Sequence, residues 1–440
     1  MPSGHRVQWR HLALPAVVVA FSGTTASGMA TRFNAVCRTD TDCFGGRCVV
    51  GAGVCACPPL WTGPLCLTLR LQPAQPEAAG LLIARSTTWG GGVVEAANGT
   101  WHMFAARMQG HCGLTSWFDR NTHTANSDIV RAVSRAGVAG PYTVVDQLVP
   151  SFGHGPFPAR LPDGTLVVAH LGCGDGTIPP LTGCTNGTTP TPAGSSRSGV
   201  GATVLAGSHC DSPGWSGLLT APTETGPWTQ LLNTSGPGLS VDGGDGAWHS
   251  PTGLTNPSVW ALGNGSAVLL AYSTGCTECA LNPGHKHVGL AIGSLTSDGG
   301  SFHDLTPHAP IFPWAAEDPC VWRDGDSGAY HILAHRTGNG TSVSADVSAH
   351  AVATDPAGPW RVAPQQPYSR DIEWIVDGKV VVAHVQKRER PQIVFNRHGA
   401  PVALANGVQP GTHPTPIGGG FTGDWSYTHV QELDPAPGWR

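Results

Sequence analysis

The chain has 440 residues, of which 60 are glycine and 38 proline, and only 53 are charged, 24 basic and 29 acidic. So many backbone punctuators, with just three lysines, exclude a coiled coil or any other long-helix protein, whereas 40% apolar content with 15 tryptophans excludes wholesale disorder. The formal net charge of −5 offers no basic footprint for nucleic acid, which leaves a loop-rich, all-β protein with room for one large domain and one small one.

Residues 1–30 have the layout of a secretory signal peptide. Arg6 and Arg10 form a positive head, Leu12 to Phe21 a ten-residue apolar run, and small residues follow around Ala26 and Ala30. Ten apolar residues are too few to span a bilayer, and no later run is long enough, so no membrane span is expected after cleavage. Export is also expected from the 13 cysteines, which suit an oxidising space, and from five acceptor sequons at Asn98, Asn186, Asn233, Asn264 and Asn339. The expected location is secreted or extracellular.

Six cysteines then fall within thirty residues: Cys37, Cys43, Cys48, Cys55, Cys57 and Cys66. So short a segment cannot bury a sufficient core and must be held by bridges, for which six cysteines allow fifteen connectivities. The spacing C-x5-C-x4-C-x6-C-x-C-x8-C, closing on Trp61-Thr62-Gly63-Pro64-Leu65-Cys66, resembles an EGF-like module. The resemblance spans residues 33–67 and implies the pairs Cys37–Cys48, Cys43–Cys55 and Cys57–Cys66, with a possible protein partner for the module. Phe33 to Val36 stands where calcium-binding versions carry acids, so no calcium site is expected.

From residue 80 to 435 one pattern recurs. An apolar strand is followed by a polar-Gly turn and a second apolar strand, with copies at 92–106, 154–170, 256–272, 318–335 and 390–406. The turns are Asn98-Gly99, Asp163-Gly164, Asn264-Gly265, Ser327-Gly328 and His398-Gly399, read as tight hairpin turns with both central residues at positive φ. Self-similar antiparallel hairpins at this period indicate a five-bladed β-propeller, with six blades and a sandwich of unrelated hairpins as alternatives. The hairpin at 371–384 reads as the outer half of the preceding blade, and the stretch 172–247 as an insertion.

Three patches, Asn256-Pro257, Ala316-Glu317-Asp318-Pro319 and Arg388-Glu389-Arg390-Pro391, resemble the propellers of glycoside hydrolase family 43 and its relatives. The resemblance implies a carbohydrate ligand, no cofactor, and three acids at the channel mouth: a base, a proton donor and an orienting acid. Glu317 matches the donor. Asn256 stands where the orienting acid belongs, and Gly90-Gly91-Gly92 where the base begins its strand, with His154 at the matching place in the second copy. A relocated base could be Glu95, Asp128 or Glu389.

The residues themselves admit two readings at each point. Glu317 and Asp318 form a channel acid pair in which one pKa rises, or Asp318 caps a turn and Glu317 is solvated; strand alternation lets only one of them point inward. Arg388 and Arg390 form a clamp for a sugar or carboxylate, or a structural ion network. His154, Asn256 and Trp117 are the remaining candidate ligand contacts. His170, His335 and His384 each end a second strand, with Tyr272 at the like place, which argues for packing between blades rather than a metal site. The leading expectation is a glycosidase; the competing one is a non-catalytic glycan-binding or adhesion protein.

Overall fold

The computed structural model describes residues 37–117, 126–172, 184, 216–231, 239–242, 248–249, 254–275, 285–295, 302–337, 347–412, 414–417 and 423–434. The signal segment, Asn186, Asn233 and Asn339 lie outside them, as do Cys173, Cys210, Cys276 and Cys279. Among the described residues no helix is long and apolar enough to cross a membrane.

The chain is all-β, and its large part is a five-bladed propeller. Blade 1 comprises Thr87–Glu95, Trp101–Met108, Ser127–Ser134 and Thr143–Val149, and blade 2 comprises His154–Arg160, Leu166–Leu171, Ser216–Ala221 and Thr229–Gln230. Blade 3 comprises Thr255–Leu262, Ala267–Gly275, Lys286–Gly293 and Phe302–Asp304, with Val241–Asp242 added in parallel at its outer edge. Blade 4 comprises Ala316–Arg323, Tyr330–Arg336, Ser348–Ala353 and Arg361–Val362. Blade 5 has three strands, Lys387–Phe395, Pro401–Gln409 and Tyr427–Glu432. The N-terminal strap completes it: Gln72 N–H donates to Glu432 O at 2.9 Å and Leu81 N–H to Thr428 O at 2.8 Å. First and last parts of the chain are thereby joined, which closes the ring.

The hairpin Asp371–Val376 with Lys379–His384 is a sheet of its own. It is not the outer half of blade 4, which already has four strands. Its Ile372 and Trp374 pack with Ala74, Val408 and Tyr427, against the strap and blade 5. Its turn is of the expected type, with Asp377 at φ 50° and Gly378 at 72°. The blade turns differ: Gly99, Gly164, Gly265 and Gly399 have positive φ, but the residues before them do not. Each of these glycines donates its N–H three residues back, as Gly99 does to Ala96 O at 2.9 Å, so a wider turn leads into a left-handed glycine.

The three N-terminal disulfides are Cys37–Cys48, Cys43–Cys55 and Cys57–Cys66, the pairing implied by the resemblance. A fourth, Cys112–Cys184, ties the loop after the second strand of blade 1 to the insertion of blade 2. The disulfide module is not loosely tethered, because residues from Val36 onward form one compact unit. Trp61 is fully buried and stacks on His350 at 4.2 Å, His331 at 5.7 Å and Trp322 at 6.5 Å, all three from blade 4.

Candidate functional site at the channel mouth

In every blade the innermost strand bulges near its start, where two of its residues face one on the second strand. The first residue of each bulge is Trp89, Gly155, Asn256, Asp318 or Arg390, and proline follows in the last four. Gly155, Asn256, Asp318 and Arg390 all lie between φ 51° and 56°. A bulge interrupts strand alternation. Glu317 and Asp318, although adjacent, therefore reach one imidazole: His335 Nδ1 lies 3.5 Å from Glu317 Oε1 and 3.9 Å from Asp318 Oδ2. Glu389, at the place in blade 5 that Glu317 holds in blade 4, lies 3.8 Å from Nε2 of the same ring. The expectation that only one of the adjacent pair could point inward is corrected by the bulge.

Arg390 crosses the channel from blade 5. Its Nη1 is 3.2 Å from Asp318 Oδ1 and 3.4 Å from Asn256 Oδ1. A Cβ at Gly155 would stand 2.5 Å from that nitrogen, so glycine is needed for the guanidinium to pass blade 2. The space beside Gly155, Asn256, Asp318 and Arg390 is about 20 Å³, room for about one water. Asp318 Oδ1, His335 Nδ1 and Arg390 Nε are buried with no hydrogen-bond partner, so the cluster retains polar capacity.

The cluster separates its two adjacent acids. Burial would raise Glu317, but the close contact with His335 and the charges of His335, Arg390 and Lys286 outweigh it and hold the carboxyl at about 2. Burial raises Asp318 to about 7 against the pull of Arg390, with the Glu317 charge adding to the rise. His335 is raised to about 9, because Glu389, Glu317 and Asp318 outweigh its burial. The two adjacent acids are thus driven apart, Glu317 downward and Asp318 upward, and Asp318 is the more deeply buried, 5% exposed against 28% for Glu317. Donor atoms of Glu317, Asp318 and His335 lie within 4.8 Å of one another, close enough to share a cation. Arg390 and a protonated His335 oppose one there with their own charge.

Other expected residues lie elsewhere. Arg388 is not a clamp: it is 1% exposed inside blade 5, bonded to Asn406, Gln431 and Ser369 O, because strand alternation turns it away from Glu389. His154 is 1% exposed, pairs through Nδ1 with Ser127 Oγ at 2.7 Å and stacks on Trp117 at 4.8 Å, so both are packed residues. Asp128 is buried and held by Arg107 and Gln147, and Glu95 accepts from Arg397 N–H at the far end of the blade, so neither is a relocated base. Trp89, 3% exposed, takes the place in blade 1 that Asp318 holds in blade 4.

His335 and Lys286 went unrecognised as site residues. His335 faces Glu317 across the strand pair, whereas His170 and Tyr272 lie opposite the bulges, one residue earlier. His384 belongs to the separate hairpin and pairs with Asp371. The supposed equivalence of these histidines was a one-residue misregister, which in a strand exchanges faces. Lys286 reaches the rim by donating to Thr255 Oγ1 at 2.8 Å.

No protein-family model matches the chain, and no curated protein matches it. Among solved structures it is similar to Zg3597, a family 117 glycoside hydrolase of Zobellia galactanivorans, at 12% identity and TM-score 0.50, covering 83% of this chain and 90% of that one. An α-L-arabinofuranosidase of Podospora anserina in complex with cellotriose matches at 14% identity and TM-score 0.44, over 86% and 96%. An endo-arabinase of Bacteroides thetaiotaomicron matches at 11% identity and TM-score 0.44, over 84% and 100%. At such identities the likeness is one of fold, and by fold the chain is an all-β, five-bladed propeller.

Proposed function

We propose that the protein is a secreted glycosidase working at the channel mouth, with Asp318 as proton donor and Glu389 as base. The convergence of Glu317, Asp318 and Glu389 on the single His335 ring carries this reading. Asp318 gives its proton to the leaving glycosidic oxygen, and Glu389 takes one from the attacking water. Burial keeps the proton on Asp318, and Glu317, ionised throughout, adds to that by like charge. Asp318 and Glu389 stand an imidazole ring plus contacts of 3.9 and 3.8 Å apart.

The secreted setting rests on the signal-like N-terminus and the disulfides, and the module is read as EGF-like, with a protein partner. A panel of aryl glycosides tests the activity. Asp318→Asn and Glu389→Gln should each lower kcat by about 10²–10⁴-fold on any substrate turned over. Activity should fall as pH rises through about 7, where Asp318 loses its proton. A second reading, a glycan-binding protein without catalysis, is favoured by Trp89 and Asn256, which stand at bulges where blades 1 and 3 offer no acid. Calorimetric binding of oligosaccharides without turnover by wild type would favour that reading.

A further inference from the structure

A second concavity lies on one face of blade 1, away from the channel. Its volume is about 640 Å³, within the range of ligand sites, and Asn98, Thr100, His102, Arg131, Arg135 and Thr143 line it. Val133, Val145 and Pro141 supply apolar wall. Strand alternation explains the set, because His102 pairs with Val133 and Val133 with Thr143, so these side chains share one face.

The polar groups here donate. An arginine only donates, so the 3.1 Å contact from Arg131 Nη1 makes His102 Nδ1 an acceptor and places the ring proton on Nε2. Burial and the Arg131 charge lower the pKa of His102 and keep it neutral. Arg131 is paired with Asp146, and the neighbouring Arg160 with Glu224. Arg135 and His102 Nε2–H supply donors, and the hydroxyls of Thr100 and Thr143 donate or accept, beside an apolar wall, a lining that suits a pyranose bearing an N-acetyl group.

Asn98 and Thr100 belong both to this lining and to the sequon Asn98-Gly99-Thr100. Asn98 Oδ1 accepts the Thr100 N–H at 3.0 Å, a turn that engages the carbonyl oxygen and presents the amide nitrogen at an exposed hairpin tip. We infer that Asn98 carries an N-linked glycan whose first N-acetylhexosamine residues lie in this groove, making the glycan a packed part of blade 1. The occupant is covalently tethered at the rim, so the groove needs little affinity of its own. Asn264 provides an internal comparison: its Oδ1 accepts Ser266 N–H at 3.1 Å in the same turn, outside this groove.

The inference rests on the secreted reading, and the experiment separates the two. The full chain is secreted from a eukaryotic host, and occupancy is mapped by peptide mass spectrometry after enzymatic release in heavy-oxygen water. Asn98→Gln should lower Tm by roughly 2–4 °C and Asn264→Gln by no more than about 1 °C. Arg135→Ala should lower Tm in the glycosylated protein but not in the Asn98→Gln background, and the Asn98 glycan should resist native endoglycosidase trimming longer than that on Asn264. Carbohydrate on Asn264 but not Asn98 overturns the inference alone. Occupancy of neither overturns both it and the secreted reading. Equal Tm effects of the two Asn→Gln variants, or an Arg135→Ala effect independent of Asn98, also overturn it.

Discussion

Acidification should loosen the seat between the disulfide module and blade 4, through the His331–His350 pair beneath Trp61. The two imidazoles lie 5.2 Å apart and nearly parallel, with His331 Nδ1 3.0 Å from His350 Nε2, a contact that holds one proton. Both rings are fully buried. Burial holds His331 at about 4, with Asp324 pulling weakly upward, and burial plus the neighbouring His331 hold His350 well below 6.5. The unfolded chain takes up protons near 6.5. The pair's contribution is thus complete above 6.5 and is lost as pH falls from there to about 4. At about 1.4 kcal/mol per pH unit, His331 alone accounts for about 3 kcal/mol across that window. Urea unfolding followed by tryptophan fluorescence at pH 7.5 and 4.0 measures it in wild type and His331→Phe. The variant is less stable at pH 7.5, because His350 loses its partner, but its further loss on acidification should be smaller by about 3 kcal/mol. Equal acid losses in the two proteins would refute the assignment.

Three further outcomes follow from the same contacts. Trp61→Ala, which empties a fully buried stack, should cost about 3–5 kcal/mol in a urea titration. Gly155→Ala puts a Cβ 2.5 Å from Arg390 Nη1 at a left-handed φ of 54°; it should cost about 1–2 kcal/mol and lower kcat by displacing the guanidinium. His335→Asn removes a positive charge that lowers both Glu317 and Asp318, so the alkaline limb of the pH–activity profile should move upward from about 7. An unmoved limb would exclude His335 as a positioning residue.

Much of the scaffold was readable along the chain because it is encoded locally. The resemblance of the cysteine pattern to an EGF-like module implied the three module disulfides, and the polar-Gly turns between apolar runs carried the hairpins and their fivefold recurrence. Turn type was less legible: Asn98 and Asn264 precede glycine as in a tight turn, yet one more residue in each loop widens it and confines positive φ to the glycine. The 371–384 hairpin resembled half a blade because a two-stranded sheet has the same pattern whether or not a third strand pairs with it.

What the sequence by itself determined was a disulfide-held module, a run of β-hairpins, and acids and arginines at the strand starts of blades 4 and 5. The tertiary structure decided how they meet. A bulge, which depends on the partner strand, turned Glu317 and Asp318 toward the same ring; register placed His335 opposite Glu317 and left His170 on the other face. Channel closure carried Arg390 past Gly155 to Asn256 and Asp318, and the packing of Trp61 on blade 4 made one unit of two expected modules. Each of these depends on contacts between residues far apart in the chain, and charge at the mouth depends on burial and neighbours, which only the folded chain supplies.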